Sequence, residues 1–199
     1  MRAVIRPTSH LSGRITPPPS KSYTHRALVC AALSKDATVK NPLISRDTLA
    51  TIDAIRAIGA RVQLDDGRAL IEGVEGEPQA PEDVIDVKNS GTTLRLMTAV
   101  CSLAPAASVL TGDSSLKKRP NQPLLDAMAE LGALAFSTKG DGTAPIVVCG
   151  GKRSIRGGEC TISGRVSSQF ISALLIATPL APTHSCIVVR GELLSAPYV

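Results

Sequence analysis

The sequence predicts an α/β fold in which one structural unit is repeated along the chain. Two stretches run through the same order of elements: a helix rich in alanine and leucine, a strand, a more polar helix and two strands. Both of the more polar helices end alike, in Ile-Gly-Ala at 58–60 and in Leu-Gly-Ala at 131–133. Aromatic residues make up only 2% of the chain, so we expect closely packed helices with small aliphatic side chains.

The first unit follows two short strands that we expect at 2–6 and 13–15. Its own elements are a helix at 22–33, a strand at 37–39, a helix at 47–58, and strands at 61–64 and 69–73. Gly59 is suited to the left-handed conformation that ends many helices. Asp65-Asp66-Gly67 between the last two strands predicts a tight hairpin.

The second unit repeats this order, and a third unit follows it. The second unit has a helix at 90–104, a strand at 107–112, a helix at 123–133, and strands at 134–137 and 145–150. The third unit has a helix at 167–180 and a strand at 185–191. Each full copy is about twice as long as the ~30-residue unit of a thin solenoid, so a compact domain with internal pseudo-symmetry is expected. The first helix of each unit is apolar on most sides, which predicts that it is buried.

Composition and charge favour a cytoplasmic protein that binds small anions. The net charge is +5, but the stacking aromatics and long basic runs of nucleic-acid-binding proteins are nearly absent, so we expect no nucleic acid partner. No apolar run approaches the ~20 residues that cross a bilayer, and the amino terminus does not resemble a signal peptide. The five cysteines are scattered and odd in number, which predicts reduced thiols rather than disulfides or a metal site.

Each of the three buried helices begins with small polar residues, and we call these starts the helix mouths. Their sequences are SKSYTHR at 20–26, NSGTTLR at 89–95 and RVSSQF at 165–170. Free backbone amides and the positive end of the helix dipole attract anions there, and hydroxyl groups add donors. Arg26 and Arg95 follow one turn later, where a guanidinium can reach back to a ligand. A single such start usually only caps its helix, but three equivalent ones favour a shared anion-binding surface.

The basic loop at 116–119 separates into two parts. Lys117 and Lys118 are interpreted as solvated surface residues, whereas Arg119 is held extended because it precedes Pro120. His25 is interpreted as a structural or exposed residue, since no second ligand stands at metal-binding spacing. There is no Walker loop or dinucleotide fingerprint, so a nucleoside triphosphate is not predicted.

Five segments in order carry a resemblance to a known family. They are PPSKSYTHRALVCAAL, NSGTTLRLM, LTGDSSLKKRPNQPLLDAM, GRVSSQFISALL and the terminal SAPYV. Together they resemble the amino-terminal half of the EPSP synthase family, the 3-phosphoshikimate 1-carboxyvinyltransferases. The resemblance implies an inside-out α/β barrel built from repeated β-α-β-α-β-β units with buried helices. It also implies that 1–15 is a strand segment belonging with a second domain, and that 16–199 is the amino-terminal domain with its third repeat incomplete.

The resemblance implies a reaction and a set of site residues. The family transfers the enolpyruvyl group of phosphoenolpyruvate to the 5-hydroxyl of shikimate 3-phosphate and releases phosphate, without a metal or cofactor. By resemblance Lys21 is the catalytic residue, between the two substrates. The residues implied for shikimate 3-phosphate are Lys21, Ser22, Arg26, Ser167, Ser168, Gln169, Ser195 and Tyr198. Those implied for phosphoenolpyruvate are Lys21, Asn89, Gly91, Thr92, Arg119 and Gln169, with Arg95 as a support behind them.

Two residues depart from the family's pattern, and two other functions stay open. Arg165 stands where small residues are common, and Ala196 where a lysine is often found. The related UDP-N-acetylglucosamine enolpyruvyl transferases usually carry an asparagine after the lysine and a loop cysteine, whereas this chain has Ser22 and no cysteine at 113–122. A non-catalytic anion- or RNA-binding module is the remaining alternative.

The family resemblance also yields expectations about partners. Family members continue for about as long again, and that half supplies further catalytic groups. The resemblance implies that the full-length enzyme is a monomer. Because the isolated chain lacks those further groups, we expect it to be inactive. We further expect the isolated chain to self-associate or to pair with a carboxy-terminal fragment, because the third repeat lacks its second helix and hairpin.

Overall fold

A computed structural model describes residues 2–193 and 195–199, so Met1 of the segment expected at 1–15 lies outside it, as does Leu194. The helices are α1 (Lys21–Leu33), α2 (Arg46–Ala57), α3 (Gly91–Cys101), α4 (Gln122–Glu130) and α5 (Ser168–Ala177). The strands are β1 (Asp36–Lys40), β2 (Arg61–Asp65), β3 (Arg68–Glu72), β4 (Ile85–Asp86), β5 (Ser108–Thr111), β6 (Leu134–Ser137), β7 (Ile146–Cys149), β8 (Gly158–Ser163) and β9 (Ser185–Arg190). All helices predicted from the sequence are confirmed, with shifted ends.

Serine side chains begin the buried helices. Ser20, Ser90 and Ser167 are the N-caps of α1, α3 and α5, and each Oγ accepts a hydrogen bond from a backbone N–H of the first turn. The α-helical part of the element expected at 167–180 stops at Ala177, and a 3₁₀ turn covers the rest. Pro179 lies in that turn and has no N–H to continue an α-helix.

Three sheets correspond to the three units. The first has the order β1-β3-β2 and is antiparallel, the second has the order β4-β5-β7-β6, and the third pairs β8 with β9 in parallel. The predicted hairpin forms between β2 and β3, with Asp66 and Gly67 at φ 27° and 70°. Strands β4 and β8 were not predicted individually; β4 completes the order β-α-β-α-β-β in the second unit, and β8 opens the third.

The two strands expected at 2–6 and 13–15 are not formed, and this part of the prediction is wrong for the structure described. Residues 2–15 are exposed and lie in no sheet. Their apolar side chains include Ile5 and Ile15, which are 91% and 92% exposed. A strand is stable only beside a hydrogen-bonded neighbour, and this segment lies against none among the described residues.

The core lies between the sheets and the first helix of each unit, which are α1, α3 and α5. Helix α3 contacts both α1 and α5, and ten of its residues are buried. Phe170, Leu28, Leu94 and Met97 are among the largest fully buried side chains. Within the described residues no helix combines the length and hydropathy that a membrane span requires. The packing of α1, α3 and α5 brings their amino termini to one side of the domain.

Candidate active site

The mouths of α3 and α5 are joined by Gln169. Its Nε2 donates to Thr92 Oγ1 at 2.9 Å, and its Oε1 accepts from Arg95 Nη1 at 2.6 Å. Arg95 Nη1 also reaches Ser167 Oγ at 3.2 Å, and its guanidinium lies 4.7 Å from the centre of the Phe170 ring. The side chain of Gln169 therefore fixes the spacing between two of the three mouths.

The mouth of α1 is joined to α5 by Arg26. Its Nη2 donates to Ser172 Oγ at 2.7 Å, and its Nη1 donates to the carbonyl oxygen of Ser22 at 3.0 Å. Ser172 Oγ lies 3.0 Å from the carbonyl oxygen of Ser168, one turn earlier in α5. The structure thus brings Ser22, Arg26 and Ser168 together although 146 positions separate Ser22 from Ser168 in the sequence.

Lys21 is the most exposed of the cationic site residues and pairs with a carboxylate. Its Nζ lies 2.7 Å from Asp47 Oδ2, and the two side chains are 51% and 31% exposed. A partly exposed ion pair of this kind contributes only ~0–1 kcal/mol. Lys21 is therefore oriented by Asp47 and can turn to an anionic ligand at small cost.

Arg119 and Asn89 form the third side of the site. Arg119 Nη2 donates to Asn89 Oδ1, and Asn89 Nδ2 donates to Asp113 Oδ2 at 2.7 Å. Arg119 has the extended conformation predicted for a residue before proline, with φ −85° and ψ 128°. A Cβ at Gly91 would lie 2.9 Å from Arg119 Nη1, so the absence of a side chain there leaves the guanidinium its place.

The end of the chain lies against α1 and α5. Tyr23 donates its hydroxyl hydrogen to the carbonyl oxygen of Pro197 at 2.8 Å, and its ring lies 5.5 Å from that of Tyr198. Ser172 Oγ is 3.2 Å from the carbonyl oxygen of Tyr198. Ser195 is exposed and left-handed, with φ 57°. The segment that holds Ser195 and Tyr198 therefore borders the mouths of α1 and α5.

The site concentrates positive charge in a partly desolvated place. Burial lowers the pKa of Arg26, and burial together with the nearby charge of Arg119 lowers the pKa of Arg95. Both guanidinium groups nevertheless stay protonated, because an arginine is not deprotonated in proteins. The guanidinium groups of Arg95 and Arg119 repel each other, so the arrangement favours multiply charged anionic ligands.

Three partners of the predicted site residues were missed by sequence reasoning. Asp47, Ser172 and Asp113 hold Lys21, Arg26 and Asn89 respectively. Only Asp47 carried a signal in the sequence, because it is an acidic residue in the first turn of α2, at the start of another helix. Ser172 and Asp113 carry no such signal, because the packing of separate units places Ser172 at the site and the fold of the second unit brings Asp113 from the end of β5 back to Asn89.

Fold and site together define an α/β domain of repeated units whose helix N-termini and guanidinium groups converge on one surface, an arrangement suited to anionic ligands. The profile of the family described as EPSP synthase (3-phosphoshikimate 1-carboxyvinyltransferase) matches residues 5–199, and the chain belongs to this family. Its domain accordingly has the inside-out α/β fold of these transferases.

Individual relatives agree with this membership. A 3-phosphoshikimate 1-carboxyvinyltransferase from Methanosarcina mazei is 54% identical over 199 residues, which is 100% of this chain and 45% of the relative. One from Methanothrix thermoacetophila is 55% identical and covers 96% of this chain and 44% of the relative. An EPSP synthase structure from Acinetobacter baumannii superposes with a TM-score of 0.82 at 30% identity, covering 90% of this chain and 41% of that one. The chain thus spans less than half the length of these proteins.

Proposed function

We propose that this chain provides the shikimate 3-phosphate side of an enolpyruvyl transferase active site. The reaction is the transfer of the enolpyruvyl group of phosphoenolpyruvate to the 5-hydroxyl of shikimate 3-phosphate, with release of phosphate. The observation that carries the proposal is the convergence of three helix mouths, with Arg26, Arg95 and Arg119 around them. Both substrates carry several negative charges, which such a surface neutralises.

The mouths divide the two substrates between them. Ser167, Ser168 and Gln169 at the mouth of α5 suit the phosphate of shikimate 3-phosphate, because hydroxyl and amide donors there add to the helix dipole. Arg26 and Ser22 suit the remainder of that molecule, with the guanidinium directed to its carboxylate. Ser195 and Tyr198 border the same region and are proposed as further contacts.

Phosphoenolpyruvate is proposed to bind at the mouth of α3. Asn89, Gly91 and Thr92 line this mouth, and Arg119 provides a fork for a carboxylate or phosphate. Arg95 does not need to touch the ligand, since it already supports Gln169 and Ser167. Gln169 lies between the two proposed positions and is the side chain most able to contact both ligands.

Lys21 is proposed as the catalytic residue of this chain. It stands at the mouth of α1 with its ammonium group oriented by Asp47. A cation fixed beside the reacting groups stabilises the charge that develops during addition and loss of phosphate. The remaining catalytic groups are proposed to come from the portion of the relatives that this chain does not match, in a monomeric cytoplasmic enzyme.

The exposed amino-terminal segment fits the same proposal. Residues 2–15 expose apolar side chains and lie in no sheet, as expected for a segment that belongs with a second domain. We propose that 1–15 joins that domain and that 16–199 forms the amino-terminal one. A separately expressed carboxy-terminal fragment is then expected to bind this chain, which sedimentation of the mixture measures.

A chimera tests the proposed function. This chain replaces the matching residues of the Methanosarcina mazei relative, and phosphate release is measured with both substrates. We expect turnover that requires both substrates and that falls at least ~100-fold in Lys21→Met. Lys152→Met is the matched control, because Lys152 is exposed in the loop after β7 and should not affect turnover. Saturable anion binding without any turnover would instead favour a binding module.

A further inference from the structure

A chain of buried polar side chains lies beneath the helix mouths. His25 Nδ1 is 2.6 Å from Thr51 Oγ1, which is 2.6 Å from Thr93 Oγ1, which is in turn 2.6 Å from Ser90 Oγ. The four side chains belong to α1, α2 and the start of α3, and none is more than 2% exposed. We call these four residues the buried network.

The network lies one helical turn below the proposed site. His25 follows Lys21 by four positions, and Thr51 follows Asp47 by four, so each stacks beneath its partner on one face of its helix. Thr93 lies two positions after Gly91, in the first turn of α3. The hydrogen bonds therefore connect the helical turns directly below the Lys21–Asp47 ion pair with the first turn of α3.

The network has a defined direction. His25 Nε2 is buried and has no hydrogen-bond partner among the described residues. A buried N–H without a partner is rarer and costlier than an unused lone pair, so the proton belongs on Nδ1 and is donated to Thr51. The hydroxyl hydrogen of Thr51 can then go to Thr93 Oγ1 at 2.6 Å or to the carbonyl oxygen of Asp47 at 3.4 Å; the shorter contact favours Thr93, which donates in turn to Ser90. Burial lowers the pKa of His25 to about 4, which keeps the ring neutral.

We propose that the buried network is a positioning device that holds Lys21 and Asp47 at a fixed distance from the mouth of α3. Aliphatic contacts alone let packed helices shift, whereas directional hydrogen bonds in a dry interior define one register. A fixed register matters because small displacements of binding groups weaken binding and catalysis strongly. The inference rests on the proposed function of the mouths, and its members are positioning residues that touch no ligand.

Thr51→Val tests the proposal, because valine has the shape of threonine but breaks the network on both sides. Thr51→Ser keeps the hydroxyl and is the conservative variant. Thr98→Val is the matched control: Thr98 is also fully buried, but its hydroxyl donates only to the carbonyl oxygen of Leu94 in its own helix, at 2.7 Å. Thr51→Cys, with its weak S–H donor, is a second weakened variant should Thr51→Val not fold.

Two readouts separate the outcomes. Nitrogen-15 NMR of the histidine rings reports the tautomer of His25, which we expect as Nδ1–H in the wild type and in Thr51→Ser, and altered in Thr51→Val. Calorimetric titration with shikimate 3-phosphate, and separately with inorganic phosphate, reports the mouths. We expect binding at least ~10-fold weaker in Thr51→Val, restored in Thr51→Ser and unchanged in Thr98→Val.

Each alternative result has a distinct meaning. An unchanged His25 tautomer in Thr51→Val would show that the network does not exist and would overturn the inference. An altered tautomer with unchanged binding would overturn the positioning role while leaving the proposed function intact. A wild type that binds phosphate but not shikimate 3-phosphate would overturn the proposed function, and the phosphate titration would still decide whether the network positions the mouths. A wild type that binds neither ligand would overturn both.

Discussion

Replacing Arg95 by methionine should cost the domain much of its stability as well as its ligand site. Arg95 donates to Gln169 at 2.6 Å and to Ser167 at 3.2 Å, and it lies over the ring of Phe170. Methionine retains the packing of the aliphatic stem but removes the guanidinium. The mutation therefore isolates the polar tie between α3 and α5 from the apolar contacts of the same side chain.

The size of the effect follows from these contacts. A hydrogen bond to a charged group contributes roughly 1.5–3 kcal/mol and a cation–π contact about 0.5–1 kcal/mol. The two hydrogen bonds to α5 share one nitrogen and are not additive, and the long 3.4 Å contact from Arg95 Nε to Asn121 Oδ1 adds little, so we expect a loss of about 3 kcal/mol in the free energy of unfolding. For a domain of this size that corresponds to a Tm lower by roughly 10 °C.

Calorimetric and urea unfolding of the chain measure this loss. Arg95→Lys keeps a cation over Phe170 but cannot fork to both partners, so we expect about half the effect. Arg153→Met is the control, because Arg153 is exposed in the loop after β7. A free energy of unfolding for Arg95→Met within ~0.5 kcal/mol of wild type would refute the role of Arg95 as the link between the two helices.

Three further predictions concern other parts of the site and core. Gly91→Ala places a methyl group 2.9 Å from Arg119 Nη1, so in the chimera it should raise KM for phosphoenolpyruvate ~10-fold with little change in KM for shikimate 3-phosphate. His25 has a folded pKa of about 4, below its unfolded value of 6.5, so its contribution of roughly 3 kcal/mol should be present above pH 6.5 and lost as the pH falls to 4. Urea unfolding of the wild type and of His25→Gln across this range should show this slope, a fall in the free energy of unfolding with falling pH, only in the wild type. Cys101 is fully buried, and burial raises its pKa to about 12, so alkylation of the native protein should modify the exposed Cys186 and spare Cys101 until unfolding.

Each of these has an outcome that would contradict it. An unchanged or lower KM for phosphoenolpyruvate in Gly91→Ala would mean that Arg119 does not serve that ligand. An equal acid slope in His25→Gln would assign the slope to other groups, and His184→Gln, at an exposed position, is the control for loss of any histidine. Mass spectrometry showing Cys101 alkylated at the rate of Cys186 would mean that the α3 core is open in solution.

Apolar spacing and turn signals sufficed for most of the fold, because the first helix of each unit is apolar on most sides and begins with small polar residues. The hairpin at Asp66-Gly67 was equally predictable, since its turn residues adopt the left-handed conformation. Strand β4 was not predictable, because two residues carry no alternation, and β8 begins with glycine and has several polar residues. The prediction of strands at 2–6 and 13–15 was wrong for a different reason. An alternating pattern shows that a segment can pair as a strand, but the strand forms only where a neighbouring strand provides hydrogen-bond partners.

The site was predictable where local chemistry marks it and not where tertiary packing creates it. Each mouth combines hydroxyls with a helix start, which is visible in the sequence. The link from Arg26 to Ser172 joins residues 146 positions apart, and the buried network joins three helices. His25 was interpreted as structural or exposed, and it is fully buried. The hydroxyl that contacts it belongs to Thr51 in another helix, those further along the network belong to the second unit, and none carries a signal of its own.

Amide chemical-shift mapping with shikimate 3-phosphate tests the central claim most directly. We predict saturable shifts confined to the mouths of α1 and α5 and the end of the chain, near Lys21, Ser168 and Tyr198, with shifts at the mouth of α3, near Gly91, once phosphoenolpyruvate is added. Shikimate without its phosphate should produce much weaker shifts at the same positions. Saturable shifts on another face of the domain, or at one mouth alone, would contradict the account that the three mouths form a single binding surface.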